Sequence, residues 1–253
     1  MDDRSAEIIC VSSGKGGVGK TSFTVNTACA LARQGKKVLL VDGDLGLANV
    51  DVVLGLNVRH TMRETIDQEH SLAEIMVEIE PGFMVLPASS GVPEMAGISF
   101  EEQAFLLDAL ERIIDDFDFV LLDTAAGIGD SVLWFNNWAD SNIVILSPDP
   151  TSMTDAYALI KVLNSRHGRD SFQLLVNNVK SKKEGKEVFT NMKNVLENFL
   201  QITPRFLGSI PQDSVVVRAV RNQQPFLLTS PDSKAGRAVT EISSALIAQG
   251  KLP

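Results

Sequence analysis

Residues 14–21 read GKGGVGKT and lie between an apolar run, EIICVSS (7–13), and a helical pattern that begins at residue 20. No other stretch restricts the fold as much. A glycine-rich loop that leaves a buried strand and opens a helix can curl its backbone N–H groups around an anion, and the helix N-terminus adds positive potential. Gly14, Gly19, Lys20 and Thr21 satisfy G-x-x-x-x-G-K-[ST], a phosphate-binding spacing. The expected cradle is Gly14, Gly16, Gly17, Val18, Gly19, Lys20, Thr21 and Ser22. In it Lys20 neutralises β- and γ-phosphates and the Thr21 hydroxyl holds Mg2+. A second lysine, Lys15, stands five residues before Lys20, and the motif does not require it.

The rest of the chain alternates short β-rich runs with longer helical patterns. Strands are expected over 7–13, 37–42, 83–88, 117–123, 142–148, 172–178 and 205–211. Several are apolar on both faces, as strands buried between two helix layers are. Helices are expected over 20–34, 99–115, 151–166, 185–200 and 233–249. The second opens on SFEE, where Ser99 caps the helix and Glu102 reaches back. This alternation specifies an α/β fold: a doubly wound, mostly parallel sheet with helices on both faces and right-handed crossovers. No linker or repeat interrupts it, so one domain is expected over 1–253. In the last helix Ala238, Ile242, Ala245 and Ala248 or Gln249 recur at three-to-four spacing. Its small residues and lack of aromatics favour docking on the sheet over a membrane surface.

A formal net charge of −9 argues against indiscriminate nucleic-acid binding. The basic cluster KSKKEGK (180–186) reads best as a solvated loop and helix start. Cys10 and Cys29 sit in apolar runs and form no C-x-x-C pair, the pattern of buried thiols in a reducing compartment. No signal peptide opens the sequence, and no apolar run approaches the roughly 20 residues of a membrane span. The expected location is the cytoplasm, with peripheral membrane contact left open.

Carboxylates complete the candidate site. Asp123 ends FDFVLLD at the carboxyl edge where phosphates would lie, placed to support Mg2+ directly or through water. The small, flexible TAAGIGD (124–130) after it suits a segment that senses a γ-phosphate. Asp42 and Asp44 close the second strand in VDGDLGLANVD, where a carboxylate can orient an attacking water. One strand-end aspartate is usually a helix cap; three beside a phosphate loop are a site. The expected metal set is Thr21, Asp42 and Asp123. Asn177, followed by Asn178 at the end of LLVNN, offers the donor and acceptor of an adenine edge, with helix capping an equal alternative.

The spare lysine gives the motif a family. KGGVGKT resembles the deviant Walker A motif of the MinD/ParA class of ATPases, whose signature lysine corresponds to Lys15. VDGDLGLANVDVVLGL (41–56) resembles that class's switch I and DTAAGI (123–128) its switch II. GSIPQDSVVVRAVRNQQPF (208–226), which contains Pro211, resembles its adenine-side loop. DLGLANVDVVLGL combined with SPDPTSMTDAYALIKVL (147–163) is most similar to the flagellar-number regulators, FlhG or FleN.

The resemblance implies a MinD-like P-loop NTPase fold and an ATP-dependent homodimer. Two subunits would close over two ATP molecules, each Lys15 reaching the other subunit's phosphates. It implies catalytic roles for Lys15, Lys20 and Asp44, the last orienting water, with Mg2+ supported by Asp123. Asn49 is implied near the dimer contact, and Asn177 and Pro211 beside the adenine. FlhF and components of the flagellar switch complex are the implied protein partners. Six residues precede the first strand and KLP follows the last helix, so FlhF stimulation and membrane attachment lack the extensions that relatives use for them. No cysteine pair of the iron–sulphur branch is present. The alternatives on this fold are a MinD-like division-site ATPase, a ParA-like partitioning ATPase, and a ligase of the biotin or cobyrinate type.

Overall fold

The computed structural model describes residues 6–46, 48–88 and 98–249. The KLP tail, on which the membrane expectation turned, lies outside them. In chain order the first half comprises β1 (Glu7–Ser13), α1 (Lys20–Arg33), β2 (Val38–Gly43), α2 (Val50–Leu54), α3 (Met62–Ile66), α4 (Leu72–Ile75), β3 (Val77–Glu80), β4 (Phe83–Leu86) and α5 (Phe100–Glu111). Then follow β5 (Phe119–Ala126), α6 (Asp130–Trp138), β6 (Ser141–Leu146), α7 (Pro150–His167), β7 (Gln173–Val179), α8 (Lys182–Leu200), β8 (Arg205–Pro211), α9 (Ser214–Arg221), α10 (Phe226–Thr229) and α11 (Lys234–Gln249). The strands make one sheet ordered β3-β4-β2-β5-β1-β6-β7-β8. All neighbours are parallel except the β3–β4 pair.

Strand alternation divides the core into two faces. Ile9 and Val11 of β1, Leu40 of β2 and Leu121 of β5 pack with α1, α10 and α11 on one side. Their sequence neighbours Ile8, Cys10, Leu39 and Val120 pack with α3, α5 and α6 on the other. Farther along that second face, Val144, Leu174 and Val176 meet α7 and α8. Both residues of each consecutive pair are therefore buried, and this is why the central strands read as continuous apolar runs. β1 lies in the middle of the sheet, between β5 and β6. Its carboxyl end and that of β5 open at one edge, where the chain order reverses and α/β sheets place their ligands.

Several expectations are refined. The capping box at Ser99 forms: its hydroxyl accepts from the Glu102 N–H at 3.2 Å while Glu102 Oε2 accepts from the Ser99 N–H at 2.7 Å. Lys182, Lys183 and Lys186 are exposed on the first turns of α8, as a solvated helix start requires. α11 does dock on the sheet, but through Ala235, Val239, Ile242 and Leu246, with Ala248 exposed. Val239 and Leu246 bring more apolar area than the alanines, and the helix turns to bury them. β3 was not foreseen because its sequence, VEIE, is half charged; as an antiparallel edge strand it leaves Glu78 exposed. Cys10 and Cys29 are buried free thiols whose pKa values burial raises. No described helix is long and apolar enough to cross a membrane.

Candidate functional site

The loop between β1 and α1 lies at the carboxyl edge of the sheet and borders a cleft of about 420 Å3. Lys15, the 16–19 backbone, Ser147, Asp149, Asn177, Pro211, Gln212 and Val217 line it. The loop is pinned from behind by α7: a methyl group on Gly14 would fall 2.1 Å from the carbonyl carbon and oxygen of Asp155. Gly14→Ala therefore requires α7 or the loop to move. The variant is expected to lose about 1–3 kcal/mol of stability, read by urea denaturation at unchanged m.

Asp123 is 1% exposed and gathers the inner residues of the loop. Its Oδ2 accepts from Thr21 Oγ1 at 2.6 Å and its Oδ1 from Thr24 Oγ1 at 3.0 Å, while Lys20 Nζ stands 3.7 Å from Oδ1. Thr21 and Thr24 are one turn apart on α1, so both hydroxyls reach the same carboxylate. Sequence reasoning named Thr21 and missed Thr24, although the three-residue spacing was the available signal.

Asp42 faces Asp123 in the β2–β5 register and is equally buried. Its Oδ1 accepts from the Asp44 N–H at 3.1 Å, and its Oδ2 accepts from the N–H groups of Asn49 at 3.2 Å and Val50 at 3.1 Å. The carboxylate thus holds both ends of the segment that leads into α2. Burial, then the neighbouring Asp123 charge, pushes its pKa up to about 8 against the pull of those N–H donors. Asp44 is half-buried and Asn49 exposed. On the other side, the parallel ladder between β1 and β5 runs one residue past β5: the Gly127 N–H donates to the Ser13 carbonyl at 2.9 Å. Ser12, also at the end of β1, donates to Asn136 Oδ1 at 3.1 Å, and Asn136 is bonded in turn to Asn142.

The two lysines have different surroundings. The Lys20 side chain is 10% exposed and faces Asp123. Lys15 is 38% exposed, and its Nζ lies 2.6 Å from Asp149 Oδ2 and 2.5 Å from Thr151 Oγ1. Asp149 also caps α7, accepting from the Thr151 N–H at 2.9 Å. The hydrogen bond from Lys15, with those from Thr151, holds its carboxyl below the usual range. Asp149 carried no role in the sequence reading, since Asp-Pro at a helix start is sufficient as a cap.

Asn177 lies near the carboxyl end of β7, against the loop. Its Nδ2 donates to the Val18 carbonyl at 2.7 Å, and its Oδ1 accepts from the Asn178 N–H at 2.8 Å. Pro211, from β8, lies on the same cleft. The structure therefore brings Gly14, Gly16, Gly17, Val18, Gly19, Lys20, Thr21, Asp123, Asn177 and Pro211 to one sheet edge, with Lys15 at the rim.

Lys20, half-buried beside the Asp123 carboxylate of β5 and at the start of the helix that the loop opens, completes the inner site. The profile of the AAA domain family matches residues 6–174. The chain belongs to this family, in its MinD/ParA class. It is 41% identical to the antiactivator FleN of Pseudomonas aeruginosa, over 94% of this chain and 85% of that protein. Identity to the flagellum site-determining protein YlxH of Helicobacter pylori is 33%, over 97% and 83%. Among solved structures, the MinC:MinD cell division complex of Aquifex aeolicus superposes with a TM-score of 0.77 at 27% identity, over 98% of both chains. The doubly wound, mostly parallel sheet expected from the sequence, with eight strands where seven were expected, is the fold of this ATPase class.

Proposed function

We propose that this chain is a Mg2+-dependent ATPase that dimerises on ATP and acts as a switch in the control of flagellar number or placement. The flagellar reading rests on similarity to FleN and YlxH. The dimerising ATPase reading rests most on one observation: Lys20 is buried against Asp123, whereas Lys15 stands at the rim of the same cleft on a solvent-accessible partner, Asp149. Lys20 serves phosphates bound in its own subunit. Lys15 has to leave Asp149 to serve a phosphate, and a cleft facing a second copy offers one.

The rim suits such a contact. Val52 on α2, Ile128 in the segment after β5, and Val217 and Val220 on α9 are all large and exposed. The corner formed by Thr21 and Asp123 suits Mg2+, which takes hard oxygen ligands and keeps several waters. Burial and the neighbouring Asp123 charge disfavour ionisation of Asp42, and a divalent cation bound at Asp123 would favour its carboxylate form. Bound Mg2+ supplies charge neutralisation at the β- and γ-phosphate oxygens. Thr21 exchanges its hydrogen bond to Asp123 for that role, and Asp123 supports the Mg2+ shell from behind. Asp44 orients the attacking water. Loss of the γ-phosphate relaxes the segment after β5, and the dimer opens. Flagellar proteins such as FlhF and the switch complex are the protein partners on this reading, the cytoplasm the location, and nucleic acid is not a partner.

The direct test is size-exclusion chromatography with light scattering in MgATP, in MgADP and without nucleotide, combined with phosphate release. A dimer in ATP alone with slow turnover supports the reading. A monomer under all three conditions, or turnover that requires a small carboxylate acceptor as a ligase would, overturns it. Deleting the gene is expected to change flagellar number; a displaced septum would instead favour a MinD-like role.

A further inference from the structure

We infer that a groove between α5 and the α3–α4 segment is a docking site for a basic amphipathic segment of a partner protein. The groove has a volume of about 560 Å3 and shares no lining residue with the cleft beside the phosphate loop. Phe105 and Ala109 of α5 line it with Ile113 just past the helix, and α4 contributes Leu72 and Ala73. α5 turns Leu106 and Leu110 into the core, and helical spacing then leaves Phe105 and Ala109 on its outer side. Phe105 is 39% exposed. A lone exposed aromatic is ordinary, but this one lines a groove with four further apolar residues, where a partner's apolar side chain can be buried.

The walls are held before anything binds. Arg63 on α3 ties the two sides together, its Nη1 3.0 Å from Glu102 Oε1 on α5 and its Nη2 2.5 Å from Asp67 Oδ1. Capping boxes start both short helices: Glu64 Oε2 accepts from the Thr61 N–H at 2.9 Å, and Glu74 Oε2 accepts from the Ser71 N–H at 2.8 Å. A preformed groove costs a ligand less ordering than one that has to be built on binding. One polar group in the wall lacks a partner. Thr65 is 4% exposed, and its hydroxyl makes no hydrogen bond among the described residues, a deficit that a donor brought into the groove can relieve.

The rim selects the sign of the partner. Asp108 and Arg112 pair at 2.7 Å, one turn apart, and offset each other. Glu69 and Glu74 are exposed, and Glu69 makes no ion pair among the described residues. The Ser71 N–H and hydroxyl hold the Glu74 carboxyl below its usual range, so it is ionised at neutral pH. No lysine and no second arginine lines the groove, which leaves a negative rim around an apolar floor. A lysine or arginine matches both parts, because its methylene stem lies on apolar surface while its charged head reaches carboxylates. Apolar neighbours at helical spacing fill the rest, whereas an acidic partner would set like charge against Glu69 and Glu74.

The probe is a short fluorescein-labelled peptide with leucine and arginine at helical spacing, followed by anisotropy and by amide shifts of the isotope-labelled protein. The wild type is expected to bind it, to ignore the counterpart with glutamate for arginine, and to show shifts gathered at 65–74 and 105–113. Glu69→Lys and Phe105→Ala, both at exposed positions, should each weaken the peptide about three- to thirtyfold. Glu187→Lys makes the same charge change on α8 and should alter the affinity by less than about twofold.

Equal weakening by Glu69→Lys and Glu187→Lys would reduce the effect to attraction toward an acidic protein and overturn the docking site. Unchanged affinity in either groove variant, shifts gathered elsewhere, equal binding of the glutamate peptide, or no binding of the arginine peptide at about 1 mM overturns it as well. Self-association of the wild type that Glu69→Lys abolishes would give the groove to a second copy of this chain instead. Should a variant not fold, the wild-type shift map and the glutamate peptide decide.

Discussion

Lys15→Ala is expected to bind MgATP about as well as the wild type and to remain a monomer with it. Lys15 makes no contact with Lys20, Thr21 or Asp123 in its own subunit; its ammonium sits on Asp149 and Thr151 at the rim. Removing it leaves the inner cradle in place. The cost falls on association. When two clefts close over two nucleotides, the phosphate charge loses water, and an unpaired buried charge is expensive. Truncating one partner of a buried charge pair at an interface costs about 2–5 kcal/mol, so the dimer dissociation constant should rise about thirty- to several-thousandfold. Light scattering in MgATP reads this directly, with nucleotide affinity measured in parallel. A Lys15→Ala protein that dimerises on ATP like the wild type would falsify the shared-lysine mechanism. Loss of ATP binding itself would mean that Lys15 acts in its own subunit.

How far the sequence disclosed this site depends on the sequence distance over which each contact acts. The loop, its strand and α1 are contiguous, and the glycine spacing that defines them is a local requirement, so they were legible. Asp123 was legible too, because a carboxylate after four apolar residues marks where a buried strand reaches the sheet edge. The pairing of Lys15 with Asp149 joins residues 134 apart, and that of Asn177 with Val18 residues 159 apart. Neither leaves a pattern in either segment. Asp149 looks like a cap because it is one, and its second use appears only when β1 and α7 are brought together. α6, with the sequence DSVLWFNNW, was missed because its aromatic residues and lack of a strong N-cap carry little helical signal; packing of Val132, Leu133 and Phe135 decides it. The role of Asp42 shifted for a related reason. As a strand-end aspartate it looked like a metal ligand, but the backbone of the following segment turns back and occupies both its oxygens.

That occupation separates the two aspartates of the segment and leads to the second large expected effect. Asp44→Ala should leave MgATP binding and dimerisation intact while lowering phosphate release about a hundred- to ten-thousandfold, the range for losing a group that assists proton transfer. Asp42 is committed to the N–H groups of Asp44, Asn49 and Val50, so its removal should loosen the whole segment rather than the chemical step alone. Asp44 is half-buried, two residues farther on, and gives its backbone N–H to that staple. Its side chain can therefore be removed with the Asp42 bonds retained. The two variants should diverge: Asp44→Ala accumulates as an ATP-bound dimer, while Asp42→Ala loses stability and binding together. Single-turnover phosphate release, with the dimer fraction followed on the same samples, separates chemistry from assembly. Wild-type turnover in Asp44→Ala would remove it from the water-orienting role. Equal behaviour of the two variants would mean that the aspartates act as one structural unit, and the source of the catalytic carboxylate would have to be sought elsewhere on the rim.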